Sequence, residues 1–151
     1  MNVCYLDNSV PSSFFNENVE LCGPTRELWL LMEEGRCRFV ASEVTMQEAL
    51  RGPLYSRDFF MANFNDLDVL LPVTSEVECL AQHYIRAGVL TANHIDDARH
   101  VALCTLAGIE VLLSWNFHHV KRRDGFNEIN RLHGHGPVRI LTPHEYLKEI
   151  F

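Results

Sequence analysis

The sequence predicts an α/β fold built round a mostly parallel sheet, and three observations predict it. Short apolar runs alternate with longer stretches of helical periodicity, the pattern of successive βαβ units. Residues that start or stop helices stand between them, notably Pro24, Gly35, Gly52-Pro53 and Gly108. The 151 residues are 47% hydrophobic and 22% charged, which suits one full core and excludes a disordered chain. No repeat, low-complexity tract or long linker divides them, so a single domain over residues 1–151 is expected.

The elements follow in order. "VCYLD" is a first strand ending on a carboxylate, Asp7. Pro24 suits the start of a helix through "RELWLLMEE" that stops at Gly35. "CRFVAS" is a second strand, followed by a helix through "EVTMQEALR" that Gly52-Pro53 ends. "SRDFFMANF" reads as a short helix and "DVLLP" as a short strand. Ser75 with Glu78 forms a capping-box pattern ahead of "VECLAQHYIRAG". "NHIDDARHVALCTLAG" carries apolar residues at Ile95, Ala98, Ala102 and Leu106, with Asn93 as the expected cap and Asp96 as its reciprocal partner. "EVLLS", "DGFNEINRLHG", "VRIL" and "PHEYLKEIF" read as strand, helix, strand and helix.

The net charge of −7 argues against a protein that grips nucleic acid through a broad basic face. It leaves room for one that meets phosphates through a bound cation. The five cysteines are odd in number, widely spaced and without a CxxC pair, so they read as buried free thiols in a reducing compartment. No basic segment leads into a long apolar run, and no apolar stretch approaches the length of a membrane span. A soluble cytoplasmic protein, with no membrane partner, is the expectation.

In an open α/β sheet, ligands gather beyond the carboxyl ends of the strands. Asp7 lies at such an end, as do Ser42-Glu43 and Ser114-Trp115-Asn116. Asp7, the Glu43/Glu48 helix, Asp96/Asp97 and Asn116 therefore fall near one edge. Carboxylates crowded together repel one another without a cation, and Mg²⁺ or Mn²⁺ takes such oxygen ligands. Only Arg51 and Arg99 are spaced to neutralise them. Plainer roles exist for each: a turn carboxylate at Asp7, a solvated helix residue beside Arg51 at Glu48, a helix-start carboxylate at Glu43, a capping partner at Asp96 and a loop-ordering amide at Asn116. His118-His119, His133-x-His135 and His100 raise zinc, yet show no usual zinc spacing. His100 is better placed to orient a site carboxylate or to pack in the core. Phe14, Phe15, Trp29, Phe59, Phe60, Phe64 and Trp115 read as core or interface, although aromatics on "RDFFMANF" also suit base stacking. "KRRDG" is either a solvated face or an edge for an RNA backbone.

Taken together, "VCYLDNS", "ASEVTMQEALRG", "DARHVALCTLAG" and "VLLSWNFHHV" resemble the successive motifs of a PIN domain, in the style of the VapC-type toxins of toxin–antitoxin pairs. The resemblance covers nearly the whole chain, and the closing "GPVRILTPHEYL" is similar to one bacterial branch. It implies a three-layer α/β/α domain with a central sheet of about five strands. It marks Asp7, Glu48 and Asp97 as ligands of Mg²⁺ or Mn²⁺ and Asn116 as the fourth catalytic position, where many members carry an acid. It further implies a metal-dependent endoribonuclease acting on RNA, an antitoxin partner that masks the site, and a homodimer. The alternatives are a PIN-like binding module of weak catalysis that works through a protein partner, favoured by Asn116 and the net charge, and a DNA-directed nuclease.

Overall fold

A computed structural model describes residues 2–64, 70–116 and 121–151. Among them, five strands form one sheet and eight α-helices cover it. In chain order these are β1 (Asn2–Leu6), α1 (Ser9–Ser12), α2 (Val19–Glu33), β2 (Cys37–Ser42), α3 (Glu43–Arg51), α4 (Leu54–Phe64), β3 (Leu70–Leu71), α5 (Ser75–Arg86), α6 (Ile95–Leu106), β4 (Val111–Leu113), α7 (Arg123–Leu132), β5 (Arg139–Leu141) and α8 (Pro143–Ile150). Single 3₁₀ turns precede α2 at Ser13–Phe15 and α6 at Ala92–His94.

The strand order is β3-β2-β1-β4-β5 and every pairing is parallel. Side chains alternate across the sheet with period two. Cys4, Leu6, Phe39, Ala41, Val111, Leu113 and Leu141 face a core closed by α2, α4 and α8. Tyr5, Val40, Leu112 and Ile140 face a second core closed by α5, α6 and α7. Both faces are covered, as parallel sheets require. Helix α3 contributes to both cores, Val44 to one and Ala49 to the other, so it lies across the carboxyl edge of the sheet.

The chain leaves β1 towards β2 and β3, then returns to β1's other side as β4. The strand order therefore switches between β1 and β4, and the crevice beyond their carboxyl ends is where such sheets hold ligands.

β2 and α3 coincide with the expected segments. Several other starts shift by a residue or two, and three helices differ in their capping. α2 begins at Val19, because the Asn18 side chain accepts the Glu20 N–H at 3.0 Å and caps the helix there. Pro24 thus lies inside the helix rather than at its start. Helix α5 is capped by Thr74, whose side chain accepts from Val77 N, so Ser75 is its first residue. Asn93 lies in the 3₁₀ turn, and His94 takes the N-cap position of α6 with no side-chain cap bond. The beginning of "DVLLP" and residues 117–120, including His118 and His119, lie outside the described residues.

Four cysteines are buried and Cys79 is exposed, against the expectation that all would be hidden; all five are free. No described helix is long and apolar enough to cross a membrane.

Candidate functional site

Asp7 follows the last residue of β1 and is 3% exposed. Its Oδ1 accepts from Ser9 N at 3.0 Å and Ser9 Oγ at 2.5 Å, and its Oδ2 accepts from Ser114 Oγ at 2.5 Å. The two serines are held in turn by the chain after β4. Ser9 Oγ accepts the Trp115 N–H at 2.8 Å, and Ser114 Oγ accepts the Asn116 N–H at 2.9 Å. The carboxylate is thus fixed by hydroxyls from both sides of the switch point. The Trp115 indole donates to Thr25 Oγ1 at 2.9 Å, which anchors the same segment on α2.

Glu48 is placed by the start of α3. Ser42 caps that helix, accepting from Val44 N and Thr45 N, while Thr45 Oγ1 accepts from Ser42 N in a reciprocal box. Thr45 Oγ1 also donates to Leu6 O at 3.0 Å, tying the first turn of α3 to the residue just before Asp7. Glu48 stands three residues on, on the same helix face. Its Oε1 lies 2.5 Å from Nε2 of His100, a fully buried residue of α6.

Asp97 opens α6 beside Asp96, and the two neighbours separate. Asp97 Oδ2 meets His94 Nδ1 at 3.3 Å. Asp96 accepts from Arg99 at 2.8 Å and lies 3.5 Å from Arg51, while Arg99 also clasps Glu78 through 2.6 and 3.2 Å bonds. The Glu78 hydrogen bond raises the Arg99 pKa further. Both basic residues singled out in the sequence therefore reach Asp96, which pairs with them instead of capping Asn93. Glu43 turns away from Glu48: its Oε2 accepts the Val73 N–H at 2.9 Å and steadies the chain entering α5.

Three carboxylates bear on one imidazole. Burial alone would depress the pKa of His100, but the Glu48 hydrogen bond and the charges of Glu48, Asp7 and Asp97 outweigh it and hold the ring above the ordinary histidine value. Negative charge from three segments of chain thus acts on His100. The donor set is all oxygen, which suits a hard divalent cation. Among the described residues, no group of three or more His, Cys, Asp or Glu is placed to hold a metal ion by itself.

Other candidates go elsewhere. His133 lies against His83 with ring centroids 4.2 Å apart and planes tilted by 34°. Arg122 donates to Val89 O, and Arg123 donates to Ile140 O at 3.2 Å, so this basic run is fastened to its own fold. Trp29, Phe60 and Phe64 are buried, whereas Phe15 and Tyr55 are half exposed and in edge contact with each other.

Sequence reasoning placed Ser114 at a strand end without giving it a role, and passed over Ser9 and Tyr5 as functional groups. Each had a signal: Ser9 lies two residues beyond Asp7, and Tyr5 alternates with Cys4 and Leu6, so its hydroxyl needed a buried partner.

No family model matches the sequence, and no curated protein matches it. Among solved structures, the chain is similar to one from VapBC2 of Rickettsia felis, crystallised bound to a DNA fragment from their promoter. The TM-score is 0.55 over 93% of this chain and 98% of that one, at 10% identity. At that identity the likeness is one of fold, and with the five-stranded parallel sheet it gives a PIN-like three-layer α/β/α arrangement.

Proposed function

We propose that this protein is a divalent-metal-dependent endoribonuclease, the toxin of a toxin–antitoxin pair. What supports the reading is Glu48 Oε1 at 2.5 Å from the buried His100 Nε2, with the charges of Asp7, just after β1, and Asp97, on α6, acting on the same ring. Like charges gathered in this way are unfavourable by themselves, and a cation relieves them. Asp7, Glu48 and Asp97 are the residues that would hold Mg²⁺ or Mn²⁺.

When bound, such an ion polarises a phosphoryl oxygen and lowers the pKa of its water for attack on a phosphodiester. The chain's own part is placement. Ser9 and Ser114 fix Asp7, His100 fixes one oxygen of Glu48, and Asn116 offers an amide to a water or phosphate oxygen without adding charge. Cytoplasmic RNA as substrate and an antitoxin as partner rest on the motif resemblance. The fold shared with a chain of a VapBC assembly supports them. A homodimer belongs to the same reading.

RNA cleavage with Mg²⁺ or Mn²⁺ tests it, compared with EDTA and with Asp97→Asn. Both treatments should abolish cleavage, and activity that survives both would overturn the proposal. A single-stranded DNA arm separates the DNA-directed alternative. A second reading, a PIN-like binding module, is favoured by the uncharged Asn116. A thermal shift with Mn²⁺ that Asp7→Ala removes would exclude it.

A further inference from the structure

Behind Glu48 runs a buried chain of hydrogen bonds, of which the proposed chemistry uses only the last link, His100 to Glu48. Ser42 Oγ lies 2.7 Å from Tyr5 OH, Tyr5 OH lies 2.6 Å from His100 Nδ1, and His100 Nε2 lies 2.5 Å from Glu48 Oε1. Ser42, Tyr5 and His100 are fully buried.

The direction of these bonds follows from a count of donors and acceptors. Ser42 Oγ accepts two backbone N–H groups, from Val44 and Thr45, which occupy both its lone pairs. Its hydroxyl hydrogen is then what it offers to Tyr5. In the neutral ring Tyr5 in turn gives its hydrogen to Nδ1, so the imidazole presents an Nε2–H to Glu48, and protonation of the ring leaves that Nε2–H in place. The N-terminus of α3 thereby sets the tautomer of a histidine on α6. That histidine holds a carboxylate two turns further along α3.

The chain also touches each element that carries a candidate ligand. Tyr5 lies on β1 two residues before Asp7, which directly follows the strand. His100 and Asp97 are three residues apart on α6, on one helix face. Ser42 caps the helix bearing Glu48.

We infer that Tyr5 and His100 are positioning residues that hold β1, α3 and α6 in the register a cation needs. They keep Glu48 Oε1 engaged, which leaves Oε2 as the oxygen that would meet the ion. This inference rests on the metal-site reading above. Partners that orient a ligand in this way are worth about 10–100-fold in metal affinity.

The test is Mn²⁺ affinity by electron paramagnetic resonance on the full chain, with folding checked by circular dichroism well below each variant's melting temperature. His100→Leu removes the donor to Glu48 and should weaken binding by about 10–100-fold. His100→Gln restores an N–H donor and should recover most of that loss. Tyr5→Phe never touches Glu48, yet should cost about tenfold. It also carries the test if His100→Leu does not fold. Unchanged affinity in Tyr5→Phe and His100→Leu, beside a wild type that binds Mn²⁺, overturns this inference alone. The same holds if His100→Gln is as weak as His100→Leu. A wild type that binds no Mn²⁺ overturns the metal-site reading and this one with it.

Discussion

Ser114 donates its hydroxyl to Asp7 Oδ2 at 2.5 Å, so the carboxyl ends of β4 and β1 meet on one buried carboxylate. Ser114 Oγ also receives the Asn116 N–H, which makes it a support for two candidate site residues at once. Ser114→Ala should lower stability by about 1–3 kcal/mol, because a buried charged acceptor and a backbone donor each lose a partner. Urea denaturation should show a lower midpoint at unchanged slope. The control is Ser12→Ala, whose Oγ makes only a long 3.3 Å bond to Ser9 O. A Ser114→Ala midpoint equal to that of Ser12→Ala would remove Ser114 from the account.

Asp96 and Asp97 are adjacent but differently engaged, and substitution should separate them. Asp96→Asn loses half-exposed pairs with Arg99 and Arg51, which screening keeps to about 1 kcal/mol or less. Its RNA cleavage should stay within about twofold, since the Asp96 carboxylate is taken up by Arg99 and Arg51 and is not among the proposed ligands. Asp97→Asn should lose at least about a hundredfold in rate, the scale of removing one electrostatic group at a reacting centre. Equal rates for the two variants would show that the site lies elsewhere.

The sheet and most helices were legible because their signals are local. "CRFVAS" and "EVTMQEALR" match β2 and α3, and the Gly35 stop has the positive φ of 72° that favours glycine. The helix starts were less legible, because several residues compete to cap. Asn18 outcompeted Pro24, and Thr74 outcompeted Ser75, each by making the backbone bond first. At the site, the strand-end rule located the edge holding Asp7, and the motifs pointed to Glu48 and Asp97. The partners of those carboxylates were not legible. Ser114 is 107 residues from Asp7, and His100 is 52 from Glu48, so only the folded register brings them together.

The basic run after β4 makes a separable prediction. Arg122 donates to Val89 O and Arg123 to Ile140 O, so both guanidiniums close gaps between elements of the fold. Arg122→Ala should cost about 0.5–1.5 kcal/mol, the net worth of an ordinary hydrogen bond. It should leave the salt dependence of RNA binding unchanged, whereas loss of a phosphate contact lowers that slope by about one. Binding titrations at several salt concentrations, beside urea denaturation, distinguish the two. A shallower slope with unaltered stability would move Arg122 to the RNA-facing side.

The thiols give a prediction about pH. Burial pushes Cys4 up to about 12 and Cys37 up to about 11, and lifts Cys104 further, against an ordinary value of 9.0. Thiolate is the reactive form, so these three should resist a disulfide reagent at pH 8, as should buried Cys22. Exposed Cys79 should react alone in the native protein, and all five should react in denaturant. The same shifts set the direction of the stability change. Below pH 9 both states keep these thiols protonated. Above it the unfolded chain releases protons that the folded chain retains, so unfolding stability declines from about pH 9 towards 12. Urea midpoints at pH 8, 9 and 10 should fall in that order, with a smaller drop in Cys4→Ala. A midpoint that holds steady across this range would mean that the Cys4 and Cys37 environments admit water.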